Sequence, residues 1–172
     1  LVDYGVHLLD LALWLIGNPQ VVEVTGVTSQ RLGTWPNVNP WGEWDYENFQ
    51  VEDHAAAFIR FADGKAMQLE ASWALNIAES VENVSISGTE GGLDVFPFRV
   101  NKAAHGMLVN WTPTWMPGEQ DEVGTRQTAD FVDSILEGRQ PVVKAEEALQ
   151  VSEIVDAIYR SSAAGASIKL HD

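Results

Sequence analysis

Three titratable side chains near the start of the chain, Asp3, His7 and Asp10, stand four and three residues apart, and Trp14 follows after four more. On a helix this spacing lines them along one stripe. A histidine with a carboxylate one turn earlier can exchange protons near neutral pH, because the carboxylate orients the ring and stabilises its cation. The same stripe also suits an ordinary solvated helix face, or a core histidine bonded to a neighbour. A metal reading of Asp3, His7, Asp10 and the distant His54 has no recognised ligand spacing behind it. A second group lies at 33–48, where Trp35, Trp41, Trp44 and Tyr46 interleave with Asn37, Asn39, Glu43 and Asp45. Indole faces stack on the C–H faces of sugars, and the polar neighbours can take hydroxyls, so these four aromatics are candidate substrate contacts for a sugar or polyol. The competing reading is a satellite aromatic cluster that pins the loop down. Trp111 and Trp115 carry the same pair of readings. In the Glu52-Asp53-His54 run, strand alternation puts Glu52 and His54 on one face and Asp53 on the other, and structural pairing is expected there.

The elements that position these residues follow from periodicity. Residues 6–16 read as a helix, apolar over most of its circumference and so buried on several sides, with Gly17 and Pro19 to end it. Residues 21–28 read as a strand in which Val22, Val24 and Gly26 alternate with Glu23 and Thr25. After the long loop a strand is expected over 49–61. The Asp63-Gly64 pair then turns the chain into a return strand at 66–73. Further strands are expected at 81–88 and 93–96, with a Gly-rich turn between them, and 99–115 is ambiguous. The period then changes. Ala129, Val132, Ile135 and Leu136, with Phe131 at the edge, mark an amphipathic helix over 125–137, and a longer one spans 145–163. Residues 167–170 could close the sheet. The fold class expected is α+β: a predominantly antiparallel open sheet with helices packed on one face. Both faces of the 54–61 strand are fairly apolar, so the other face is available for a sheet-to-sheet homo-oligomer, or lies buried inside a larger chain.

Composition narrows the classes of function. The chain has 172 residues, with 25 Asp and Glu against 10 Lys and Arg, a formal charge of −15. A phosphate backbone or an anionic membrane would be repelled, so neither nucleic acid nor membrane is an expected partner. The absence of cysteine removes disulfides, thiolate catalysis and Cys-ligated metals. No apolar run reaches the roughly 20 residues of a membrane span. The first residue is not Met and no charged region precedes the apolar stretch, so a signal peptide is not expected and a fragment is.

The opening segment Asp3-Tyr4-Gly5-Val6-His7-Leu8-Leu9-Asp10, its apolar helix and Gly17-Asn18-Pro19 resemble the start of the C-terminal domain of the glucose–fructose oxidoreductase / inositol dehydrogenase / MocA (Gfo/Idh/MocA) family, which carries D-x-G-x-H-x-x-D and a G-x-P turn. Three further stretches match in family order: VEDHAAAFIRFADGKAMQLEASW, ISGTEGGLDV and AEEALQVSEIVDAIYRSSAAGASIKL. The resemblance implies an N-terminal Rossmann domain that binds NAD or NADP and is absent from this chain, followed by residues 1–172 as a substrate-binding and oligomerisation domain. It implies that His7 takes the proton from a substrate hydroxyl while hydride leaves the same carbon for the nicotinamide, and that Asp3 binds a neighbouring hydroxyl or orients the site. Asp10 matches a family position and is read as a supporting or structural residue. No cofactor-binding residue is expected here, since Gly88-Thr89-Glu90-Gly91-Gly92 precedes a strand and Glu90 would repel phosphate. The expected function is therefore the C-terminal domain of an NAD(P)-dependent oxidoreductase acting on a sugar or polyol, cytoplasmic, dimeric or tetrameric, and inactive as an isolated fragment. The alternatives are a non-enzymatic sugar-binding or dimerisation scaffold of the same fold, and an NAD-dependent glycosidase of the same family.

Overall fold

The computed structural model describes residues 1–36, 42–115 and 123–171. The elements run α1 (Gly5–Leu15), β1 (Val21–Ser29), β2 (His54–Phe61), β3 (Ala66–Ser72), β4 (Ser85–Ser87), β5 (Gly92–Asp94), β6 (Arg99–Ala104), β7 (Met107–Trp111), α2 (Val123–Glu137), α3 (Ala145–Ala164) and β8 (Ile168–Lys169). The class is α+β, and every strand pairing is antiparallel. The strands form two four-stranded sheets rather than one continuous sheet, in the orders β3-β2-β1-β8 and β4-β5-β6-β7. Each sheet belongs to its own compact unit: Leu1–Ser80 with Glu146–Asp172, and Val81–Ala145.

In the first unit, α1 and α3 cover one face of the sheet. Leu9 and Leu13 of α1, Val21 and Val24 of β1, Ile59 and Phe61 of β2, and Ile154 and Ile158 of α3 make its core. The expected alternation in β1 is corrected at its start. A bulge between Val21 and Glu23 inserts a residue, so Val21 and Val24 are both buried and Val22 only partly. The helix α1 is also less enclosed than its composition suggests: Gly5, Leu9, Ala12 and Leu13 are buried, whereas Leu8, Leu11 and Leu15 are only partly covered. The strand expected over 49–61 begins only at His54, because 49–53 is drawn into the loop network described below.

Beyond Val24, β8 no longer covers the edge of β1 that faces away from β2. The hydroxyls of α3 take its place. Ser161 Oγ accepts from Gly26 N–H at 2.9 Å and Ser162 Oγ from Thr28 N–H at 2.9 Å. A helix thus satisfies strand donors that would otherwise be orphaned under the fold.

In the second unit, the ambiguous region 99–115 resolves into the β6–β7 hairpin. His105 and Gly106 connect its strands with φ of 53° and 76°, the mirror-image turn geometry that suits two-residue hairpins. The helix α2 forms as expected, but its apolar stripe is not covered: Ala129, Phe131, Val132, Ile135 and Leu136 are exposed, and among its described side chains only Ser134 is buried.

Candidate active site

The start of α1 is seated by a glycine. Gly5 is buried against β3, and a Cβ there would stand 3.0 Å from Ala71 Cβ and 2.7 Å from Leu1 Cδ1. With Leu9 and Leu13 turned into the core, the opposite side of the helix looks outward. His7 and Trp14 are exposed on it, Asp10 is half-buried, and Asp3 is exposed in the turn that precedes the helix. The side chains of Asp3, His7 and Asp10 make no hydrogen bond or ion pair with another described residue. Asp3 and His7 therefore share one outward edge without consuming each other, and a hydroxyl can reach either.

The aromatic loop is organised by a residue that spacing did not single out for it. Asp53, only 2% exposed, directs Oδ2 at three successive backbone donors: Arg31 N–H at 2.6 Å, Leu32 N–H at 2.6 Å and Gly33 N–H at 2.8 Å. Its own backbone ties two neighbouring segments together, with N–H donating to Ser29 O and its carbonyl accepting from Ser72 Oγ at 2.6 Å and Trp73 N–H at 3.3 Å. Gly33 is the other pivot. Its carbonyl accepts from Trp44 Nε1 at 2.9 Å, and a Cβ on it would run into the Phe49 ring. Gln30 Nε2 also donates to Phe49 O.

This network gathers three aromatic rings. Trp44 meets Trp73 edge-on with centroids 5.9 Å apart, and Phe49 leans on Trp73 at 5.5 Å. A cleft of about 440 Å³ opens beside them, lined by these rings and by Glu43, Asp45, Asn48 and Gln50. Of the four aromatics expected to touch substrate, Trp44 lines the cleft, Tyr46 is half-buried with its N–H on Trp44 O, and Trp35 is 61% exposed and outside the ring cluster. Trp41 lies outside the described residues. Phe49 and Trp73 were missed. The legible signal for Trp73 is its place at the end of the return strand, two residues past the Ala71 that receives Gly5.

The pairing expected of Glu52 and His54 is redistributed. His54 Nε2 lies 3.2 Å from Glu70 Oε1 on the sheet face away from the helices, while Glu52 Oε1 accepts from the Tyr159 hydroxyl at 2.9 Å. Tyr159 is pushed up to about 12, by burial first and then by the bond to Glu52 and that group's charge. Trp111 and Trp115 are exposed, in or beside β7 of the other unit.

No group of three His, Cys, Asp or Glu residues able to hold a metal occurs among the described residues. The Gly-rich turn does not fit a dinucleotide. It closes the β4–β5 hairpin, with Gly88 N–H on Gly91 O at 2.8 Å, and leads into a strand instead of a helix N-terminus. No helix among the described residues is long and apolar enough to cross a membrane.

A helix with His7 on its outward side and Asp3 in the turn before it is laid on a four-stranded antiparallel sheet. The chain belongs to the Gfo/Idh/MocA family: residues 1–170 match its description as "Oxidoreductase family, C-terminal alpha/beta domain". D-glucoside 3-dehydrogenase of Escherichia coli (strain K12) is 32% identical over 173 residues, an alignment covering 99% of this chain and 48% of that protein. Levoglucosan dehydrogenase, solved in complex with NADH and L-sorbose, shares the fold with a TM-score of 0.76 at 22% identity, over 99% of this chain and 49% of the other. Aldose-aldose oxidoreductase from Caulobacter crescentus, complexed with glycerol, gives 0.72 at 22% identity, over 98% and 46%. The chain spans about half the length of the curated relatives it matches.

Proposed function

We propose that residues 1–172 serve as the substrate-binding and oligomerisation domain of an NAD(P)-dependent oxidoreductase that moves a hydride between nicotinamide and a sugar or polyol hydroxyl. A dinucleotide-binding Rossmann domain precedes them in the intact, cytoplasmic protein. The observation that carries this reading is the solvent-facing His7, with Asp3 one turn before it, on a helix start seated by Gly5. The names of the glucoside and levoglucosan dehydrogenases support the substrate class. A nicotinamide held by the preceding domain supplies the hydride acceptor. The imidazole of His7 accepts the hydroxyl proton at a ring nitrogen, and Asp3 accepts a hydrogen bond from a neighbouring hydroxyl, which orients the reacting carbon. Asp10, half-buried on the same helix, supports the site from behind. Trp35, Trp41, Trp44 and Tyr46 give the sugar its apolar contacts, while the chain's charge of −15 disfavours a phosphorylated substrate. In the intact protein, His7→Ala lowers kcat for sugar-dependent NADH formation by about 10²-fold or more. An unchanged kcat removes His7 from the role of base. The chain alone, mixed with NAD and sugar, gives no turnover.

The face of the first sheet away from its helices supports a homo-oligomer. Phe58 and Val27 lie there 43% and 55% exposed, and the cross-strand register sets Glu23, Arg60, Glu70 and Lys169 around them. Two carboxylates against two cations make this face neutral on a chain of charge −15, so a second copy meets it without the repulsion it finds elsewhere.

A further inference from the structure

The geometry points to a second sugar-ring subsite in the cleft of Trp44, Phe49 and Trp73, which makes the substrate a glycoside or oligosaccharide rather than a free monosaccharide. This rests on the sugar-oxidoreductase reading and deepens it.

The position of the cleft comes first. Ala71 of β3 receives Gly5 at the start of the Asp3–His7 helix, and Trp73 lines the cleft two residues further along the chain. Two residues of extended chain span about 7 Å. The cleft therefore opens at the same end of the sheet as the Asp–His edge, displaced from it along the strand.

The chemistry of the lining comes second. Three aromatic rings provide an apolar wall for the C–H face of a pyranose, and Glu43, Asp45, Asn48 and Gln50 offer planar acceptors and amides to its hydroxyls. No histidine lines the cleft, so a ring held there is bound and positioned, and the oxidation occurs on a neighbouring ring beside His7. Glu43 and Asp45 reject a phosphate or carboxylate, which restricts the second ring to a neutral sugar or neutral aglycone.

The cleft is prebuilt, which is the third argument. Asp53 and Gly33 clamp the loop base, and the Asp45 carboxylate accepts from Asn48 N–H at 3.2 Å and from its Nδ2 at 2.9 Å, so bonds within the chain support the lining without a ligand. Preorganised walls spare a ligand the cost of ordering them.

The test is ligand-detected NMR titration of the full chain with cellobiose, maltose and glucose. At least one disaccharide binds about tenfold or more tightly than glucose. Trp73→Ala removes that preference. Because Trp73 also packs the loop, the deciding variant is Glu43→Ala with Gln50→Ala, two exposed side chains on the rim, which lowers disaccharide affinity with an unchanged unfolding midpoint. Equal affinity for glucose and both disaccharides overturns the subsite, as does a rim variant that binds like the parent. These outcomes are independent of turnover. If the disaccharide preference holds while the intact protein oxidises no sugar, the oxidoreductase reading falls and the subsite stands. If His7→Ala abolishes turnover while the preference is absent, the subsite falls alone.

Discussion

Tyr159 and Glu52 show how a side chain with no part in the proposed chemistry can dominate a measurable property. Tyr159 lies on α3 and donates to Glu52 on the segment that enters β2, so the pair links the terminal helix to the base of the loop. Its folded-state value of about 12 lies above the ordinary 10.0. The neutral phenol is the form the fold favours. The contribution to stability is therefore complete below pH 10 and declines as pH rises from 10 towards 12. Unfolding titrations across that range show a falling stability, and Tyr159→Phe flattens the slope. An identical slope in the variant would assign the alkaline loss to other groups. Among the described residues no partner holds the His7 ring, which leaves it open to the proposed substrate hydroxyl.

At the scale of elements, the loop after β1 illustrates how one buried carboxylate can organise a segment with little regular structure. Three backbone donors converge on Asp53 Oδ2, the one from Gly33 in a buried bond and the other two in part-buried ones, so its removal leaves three N–H groups without that acceptor. Asp53→Ala costs about 3 kcal/mol. That is about 10 °C in the melting temperature of the unit that contains it. The same variant loosens the Trp44–Trp73–Phe49 cluster, read as loss of tryptophan fluorescence anisotropy below the melting transition. A melting temperature within about 2 °C of the parent would show that the turn at 31–33 holds without its anchor. The edge of β1 is handled by a related device, with Ser161 and Ser162 standing where a further strand would pair.

For the whole molecule, the distribution of charge and apolar surface decides what can associate. The chain is acidic, yet the open sheet face centred on Phe58 combines neutrality with exposed apolar area. Phe58→Glu places a charge at the centre of that face while leaving the buried side of β2, with Ala55, Ile59 and Phe61, untouched. Sedimentation of the parent chain shows a dimer or larger species, and Phe58→Glu shifts it towards monomer at unchanged helix content. A parent that sediments as a monomer at high concentration sinks the interface.

The helix α1, the hairpin at Asp63-Gly64 and the long helix α3 were legible in the sequence because each is specified locally: apolar residues at helical period, a turn dipeptide between β-rich runs, and a glycine at each helix end. Asp3 and His7 were singled out by helical spacing, although Asp3 lies in the turn before α1 and makes no bond to His7. Division into two sheets, the bulge at Val21 and Glu23, the late start of β2 and the uncovered stripe of α2 were not. Each depends on which distant segment supplies the partner, and no local period encodes that. The loop cleft belongs to this second kind. Trp44 and Trp73 are 29 residues apart. They meet because Asp53 closes a backbone turn at 31–33 and Ser72 bonds back to Asp53, contacts that exist only once β1, β2 and β3 lie side by side. Sequence by itself determined the family and the class of fold, and it singled out Asp3 and His7 as the proposed acid–base pair. Tertiary structure decided what surrounds that pair, because hydrogen-bond satisfaction and close packing are settled among residues brought together from far along the chain.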